Sequence, residues 1–147
     1  MGFIDSYKHL EKLCGEVLND DRRVSAYIDE MLRTPRGSYY VRTWDEDLKN
    51  LKHYRWVRNQ ISHEPGCTEQ NMCNPEDELW LDEFYSRIMN QTDPLSLYHQ
   101  ATCSRPITKK SSKPIQNTLP HSRPGSQRKS TSNSIDLAVR LLLLFLH

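Results

Sequence analysis

The chain has 147 residues, enough for one domain and a tail. Its net charge of +1 hides a division: residues 1–101 carry 12 Lys or Arg against 18 Asp or Glu, whereas residues 102–147 carry eight against one. No apolar run approaches the roughly 18–20 residues that a membrane-spanning helix needs. A Gly-rich phosphate loop, a dinucleotide fingerprint and a Ser/His/Asp arrangement are also missing from the sequence. The composition therefore predicts an acidic body with a basic tail and argues against these enzyme classes.

The N-terminal residues lack the basic and apolar regions of a secretory signal. The cysteines are too few to frame a small disulfide-rich domain; they are Cys14, Cys67, Cys73 and Cys103. We therefore expect a cytoplasmic protein with free thiols.

Apolar residues recur at helical spacing along the body, and turn residues 19–21 separate the first two stripes. The first stripe contains Phe3, Ile4, Tyr7, Leu10, Cys14, Val17 and Leu18. The second contains Val24, Tyr27, Ile28, Met31 and Leu32. The stretch from Ser38 to Arg42 fits either a short extended connector or a continued helix.

Capping signals predict where the next three helices begin. Thr43, with Glu46 three residues later, forms a capping-box pattern for a helix from Trp44 to about His63. Asn74 followed by Pro75 begins the fourth helix, and residues 92–94 begin a short fifth. We therefore predict an all-α fold, a small antiparallel bundle of four to five helices.

The remainder of the chain differs in composition from this body, which we assign to residues 1–101. Residues 102–134 contain eight Ser, four Pro and seven Lys or Arg with no acid, which predicts a disordered linker. Residues 135–147 fit a short apolar helix, which would dock on the bundle, bind a partner or contact a membrane surface. An extension that is not native to the protein is the alternative for this segment.

The most informative stretch is Arg58-Asn59-x3-His63, near the end of the third predicted helix. Arginine can neutralise a phosphate, histidine can transfer protons near neutral pH, and the Asn59 carboxamide can orient either group. Helical geometry places Arg58 beside the apolar stripe, where it needs an anionic partner. His63 lies about 140° around the helix from Arg58, but Pro65 predicts that the helix frays near His63.

This motif resembles the signature of the HEPN superfamily, all-α bundles that carry Arg-x4–6-His with a polar residue often following the arginine. The wider stretch Arg-Trp-Val-Arg-Asn-Gln-Ile-Ser-His-Glu-Pro-Gly-Cys-Thr also resembles a family of short bacterial proteins of unassigned function. Many HEPN proteins are metal-independent endoribonucleases of defence or toxin–antitoxin systems, and they typically act as homodimers with a shared cleft. The resemblance covers residues 44–66, with the helical body as wider support.

The resemblance implies a role for each residue of the motif. Arg58 would hold the scissile phosphate, His63 would exchange a proton with the 2′-OH or the leaving 5′-oxygen, and Asn59 would orient the phosphate or His63. Arg55, one turn earlier, would bind a neighbouring phosphate. No cofactor or metal is implied. The implied partners are an RNA substrate, a second copy of the chain and an antitoxin or regulatory protein.

Three other interpretations stay open at this point. The protein is alternatively a non-catalytic helical interaction module, in which Arg58 pairs with a carboxylate of the bundle and His63 caps the helix. The tail is alternatively a binder of nucleic acid or membrane surfaces. Zinc is disfavoured because the His-x3-Cys-x5-Cys spacing matches no compact zinc knuckle; its ligands would be His63, Cys67 and Cys73 with Cys103 or His99.

Overall fold

The computed structural model describes residues 2–103, and within this range every regular element is a helix. Five helices have ten or more residues, and two are single turns. In chain order they are α1 (Phe3–Leu18), α2 (Val24–Arg33), α3 (Gly37–Tyr40), α4 (Trp44–His63), α5 (Glu69–Met72), α6 (Pro75–Met89) and α7 (Pro94–Cys103). The prediction of a small all-α bundle is confirmed. Residues 104–134 of the predicted linker, and the whole segment 135–147, lie outside the described residues.

The core forms where the apolar stripe of α1 meets α6, α2 and α4. Burial of large apolar side chains is the main driving force for such a bundle. The most deeply buried of these side chains include Tyr7, Leu10, Tyr27, Ile28, Met31, Leu51, Leu81, Phe84 and Ile88. No helix in residues 2–103 is long and apolar enough to cross a membrane.

Two polar contacts show that α4 and α6 run in opposite directions. Asp47, near the start of α4, accepts two hydrogen bonds from Arg87, near the end of α6, at 2.9 and 2.6 Å. Further along α4, the Tyr54 hydroxyl bonds to Asp77 in the first turn of α6 at 3.1 Å. The Asp47 carboxylate is buried, and its bond to Arg87 is the bidentate pairing that best compensates a desolvated charge.

The start of α4 differs from the prediction, whereas the start of α6 matches it. Thr43 makes no side-chain capping bond, because its backbone (φ −89°, ψ 5°) lies outside the extended region of an N-cap residue. Its hydroxyl instead accepts a bond from Arg87 at 3.3 Å. At α6, the Asp77 carboxylate accepts a hydrogen bond from the Asn74 backbone N–H at 2.7 Å and completes a capping box.

The segment after α2 forms a separate helical turn, α3, and not a continued helix or a fully extended connector. The turn is followed by extended backbone at Val41. Gly37 opens it because the indole ring of Trp44 lies across this position, and a Cβ there would meet ring atoms at 2.1 Å. The turn α5 was not predicted at all, since four residues are too few to show a helical period.

A buried tyrosine–aspartate pair fastens α7 to α2. The Tyr27 hydroxyl donates to Asp93 Oδ2 at 2.5 Å and accepts from the Leu95 backbone N–H at 3.4 Å. Asp93 is only 2% exposed. Burial disfavours the carboxylate and raises the pKa of Asp93, although the hydrogen bond from Tyr27 opposes the shift.

Arg87→Ala is expected to lower the free energy of unfolding by about 3–5 kcal/mol, because the variant leaves Asp47 buried without its partner. Urea unfolding followed by circular dichroism measures the loss. The control is Arg33→Ala, which removes an exposed ion pair to Glu30 and should cost less than about 1 kcal/mol. Equal, small losses in both variants would contradict the structural role of the Asp47–Arg87 pair.

The Asp93 pair generates a prediction for the effect of pH on stability. Because the folded-state pKa is raised, the contribution of the neutral Asp93 is complete below the unfolded-state pKa and is lost as pH rises through the folded-state pKa. We expect the free energy of unfolding of the wild type to fall relative to that of Asp93→Asn as pH rises from about 4, the ordinary pKa of an aspartate, upwards. Urea titrations of both proteins across this range provide the measurement, and a constant difference between them would refute the prediction.

Candidate active site

The three motif residues lie in the last two turns of α4, which remains regular through His63. The helix ends only at Glu64, whose backbone is extended (φ −98°, ψ 124°), so the predicted fraying at His63 is wrong. Proline restricts only the residue directly before it, and here that residue is Glu64. At about 100° per residue, Arg58 and His63 therefore remain about 140° apart around the helix.

Arg58 lies at the edge of the core face, next to the buried Val57, as the helical period predicted. Its side chain is 35% exposed, so its guanidinium remains partly in contact with solvent. Its anionic neighbour is Glu11 of α1, with 3.9 Å between Nη2 and Oε2. Its other terminal nitrogen, Nη1, donates to Asn59 Oδ1 at 3.3 Å. Arg58 is thus held loosely between a carboxylate and a carboxamide.

Asn59 and His63 are one helical turn apart on the exposed face of α4. Asn59 therefore lies between the other two motif residues, because it is hydrogen-bonded to Arg58 and is one helical turn before His63. Trp56 lies on the same face, seven residues before His63, and is 52% exposed. Its indole stacks on the imidazole of His53 with 6.1 Å between the ring centres.

Arg55, the predicted phosphate-binding residue, lies beside Arg58 but has a neutral partner. Its Nη1 bonds to Ser25 Oγ of α2 at 3.3 Å, and within residues 2–103 it forms no ion pair. Below these residues lies the buried phenol of Tyr7, whose pKa is raised mainly by burial and then by Glu11, while Arg58 and Arg55 lower it. Both arginines therefore act electrostatically on the same buried hydroxyl.

Sequence reasoning missed two charged residues of this region, Glu11 and Arg23. The Glu11 Oε2 atom lies 3.9 Å from Arg23 Nη1 as well as 3.9 Å from Arg58 Nη2. Arg23 directly precedes α2 and is 35 residues from Arg58, so no local motif connects it to α4. The only signal was the position of Glu11 one turn after Tyr7 on the first predicted helix, which places it at the border of the apolar stripe.

The proposed zinc ligands do not come together in the described residues. No three His, Cys, Asp or Glu side chains of residues 2–103 are placed to hold a metal ion. All four cysteines have free thiols. The closest thiol–imidazole contact joins Cys103 and His99 on α7, at 3.5 Å between Sγ and Nε2. These two groups are one turn apart on a single helix and lack a third ligand.

Comparison with known proteins assigns a family without assigning an activity. A family model matches residues 1–146, nearly the whole chain. The chain belongs to DUF6548, a family of unknown function. No curated protein matches it. No solved structure matches it. DUF6548 membership agrees with the resemblance to a family of unassigned function, whereas the relation to the HEPN superfamily stays a prediction.

Proposed function

We propose that this protein is a metal-independent endoribonuclease of the HEPN type, with Arg58, Asn59 and His63 as its catalytic residues. The observation that carries the proposal is the open position of Arg58, which is loosely paired, partly exposed and flanked by the unneutralised Arg55. Such an arginine is suited to a phosphodiester, because a planar guanidinium with free donors binds two phosphate oxygens at once. The bacterial defence or toxin–antitoxin setting, a cytoplasmic location and an antitoxin or regulatory partner follow from the resemblance and belong to the same proposal.

The chemistry assigns a separate task to each side chain. The 2′-OH attacks the adjacent phosphorus, the bond to the 5′-oxygen breaks, and the products carry a 2′,3′-cyclic phosphate and a 5′-OH. Arg58 stabilises the charge that develops on the phosphate oxygens, and Arg55 binds a neighbouring phosphate. His63 exchanges a proton with the 2′-OH or the leaving oxygen. Asn59, already bonded to Arg58, fixes the direction of the guanidinium.

A single chain does not complete this site, since the regular end of α4 directs Arg58 and His63 to different sides of the helix. We therefore propose a homodimer in which Arg58 of one chain and His63 of the other meet at one phosphate. The exposed Trp56 supports this arrangement, because a large aromatic side chain on the face of His63 favours contact with another protein surface.

The second candidate function is a non-catalytic interaction module. The observation that favours it is the ion pair between Arg58 and Glu11, because a carboxylate of the bundle already balances part of the arginine's positive charge. In this alternative His63 is only the last residue of a helix, where a positive charge interacts favourably with the helix dipole.

In buffer with EDTA, the wild type is expected to cleave a fluorescent single-stranded RNA and leave cyclic-phosphate ends. Arg58→Ala should reduce the rate at least about 100-fold, because a preorganised donor to the developing charge is lost. His63→Ala should reduce it by about 100-fold or more through the loss of proton transfer. Denaturing gels and mass spectrometry of the fragments measure rate and end groups.

Unfolding measurements provide the control for these variants. Both positions are partly or fully exposed, and the Arg58 ion pair is long, so each variant should lose no more than about 1 kcal/mol of stability. A folded wild type that leaves several RNAs intact, or an Arg58→Ala protein that cuts at the wild-type rate, would eliminate the catalytic function and favour the interaction module.

Mixing the two inactive variants tests whether the site is shared between chains. If Arg58 and His63 act from different chains, a mixed dimer of Arg58→Ala and His63→Ala keeps one intact site, and an equal mixture should recover about a quarter of the wild-type rate. If each chain supplies both groups of its own site, every site in the mixture lacks one of them. The mixture would then stay as inactive as its components, and the shared site would be refuted.

A further inference from the structure

We propose that Glu11 occupies the place of a substrate phosphate between Arg23 and Arg58, and that Arg23 is a further RNA-binding residue. The inference rests on the proposed function for the identity of the ligand as single-stranded RNA. Its structural basis is separate, because it concerns residues of α1 and of the turn before α2 that the α4 motif does not include.

The two ion pairs of Glu11 are unlike the other arginine–carboxylate pairs of residues 2–103. Arg22–Asp20, Arg22–Asp29, Arg33–Glu30 and Arg87–Asp47 all close to between 2.6 and 2.9 Å. Glu11 instead has one oxygen, Oε2, at 3.9 Å from both Arg23 and Arg58. Charge-assisted hydrogen bonds are about 2.7–2.9 Å long, so neither guanidinium is hydrogen-bonded to this oxygen. An anion with more acceptor oxygens can therefore satisfy donors that Glu11 leaves unused.

The charge balance of this region favours such an anion. Two guanidiniums, those of Arg23 and Arg58, lie 3.9 Å from a single carboxylate oxygen, and Arg55, one turn before Arg58, is bonded to a neutral serine hydroxyl. The Glu11 side chain is only 14% exposed, whereas Arg23 is 57% exposed. The negative charge of Glu11 is thus largely withdrawn from solvent, whereas the positive charge of Arg23 remains accessible to it. A backbone with regularly spaced phosphates complements this arrangement better than a single isolated charge does.

The local backbone is shaped to bring Arg23 to Glu11. Arg23 has φ 55° and ψ −116°, a strained conformation for a residue with a side chain. Gly15 of α1 leaves room for the Arg23 side chain, because a Cβ at Gly15 would lie 3.2 Å from Arg23 Cγ. Glycine is unfavourable inside a helix, so its presence one turn after Glu11 is consistent with this close approach. Both features position the arginine over α1.

The test measures binding of a fluorescein-labelled 2′-O-methyl RNA, which lacks the attacking hydroxyl and is not cleaved. Fluorescence anisotropy at several salt concentrations gives Kd and its salt dependence. Glu11→Gln removes the competing charge with little change of shape, and we expect it to lower Kd about fivefold to tenfold. Arg23→Gly tolerates the same backbone conformation, and we expect a weaker Kd and a salt slope reduced by about one.

Arg22→Ala is the matched control for Arg23→Gly. Arg22 is the adjacent arginine, but it is already bonded to Asp20 and Asp29 at 2.9 and 2.7 Å. Its loss should leave Kd and the salt slope unchanged. An equal effect of the Arg22 and Arg23 variants would mean that only general positive charge is sensed, and it would overturn the assignment of Arg23.

Two outcomes separate this inference from the proposed function. If the wild type cleaves RNA but Glu11→Gln leaves Kd unchanged or raises it, the role of Glu11 is overturned and the nuclease remains. If the wild type cleaves nothing but Glu11→Gln tightens and Arg23→Gly weakens binding of the RNA probe, the phosphate site remains and the nuclease fails. Circular dichroism shows that each variant is folded. Should Glu11→Gln be misfolded, the comparison of Arg23→Gly with Arg22→Ala decides the inference alone.

Discussion

The continuous hydrogen-bonded geometry of α4 determines how the other parts of the molecule are arranged. Its 20 residues form about five and a half uninterrupted turns, so its side chains form three separate surfaces around one helix. One surface, which includes Leu51 and Val57, is buried against the other helices. The edge of that surface carries Arg55 and Arg58, and the opposite surface carries Trp56 and His63. Any chemistry that joins Arg58 to His63 must therefore bridge two sides of one helix.

The buried contacts of α4 fix its rotation about its own axis. Asp47 and Tyr54, separated by two turns, are both bonded to α6. A rotation of α4 that turned Arg58 out to solvent would break the Arg87 pairing and expose Val57, and it would bring Arg58 no closer to His63 because both lie on the same helix. This is why a second chain, and not a local rearrangement of the helix, is the physically reasonable way to complete a site from Arg58 and His63.

The helical period was sufficient to predict the fold and part of the site. It gave the all-α class, the extent of α4 and the half-buried position of Arg58, because burial follows directly from the spacing of apolar residues. It did not give Glu11 or Arg23, which lie 47 and 35 residues before Arg58, because Glu11 comes close to Arg58 and Arg23 only when the helices pack. The predicted Thr43 cap is also absent, because the backbone of Thr43 lies outside the extended region and its hydroxyl accepts a bond from Arg87 of α6 instead. Local sequence patterns thus predicted the helices, whereas the hydrogen bonds and ion pairs of the polar side chains depend on contacts between residues far apart in the sequence.

The contrast between Asp47 and Glu11 bears on which interpretation of Arg58 is better supported. A carboxylate that serves only to fasten two helices is expected to be closely bonded, since desolvated charges are tolerated only with good geometry. Asp47 meets this expectation with two bonds to a single arginine. Glu11 does not, because it lies between two arginines and is hydrogen-bonded to neither through Oε2. A purely structural role for Arg58 does not require the carboxylate to lie between two arginines at this distance. The proposed binding of an external phosphate would use the hydrogen-bond donors that this pairing leaves unsatisfied.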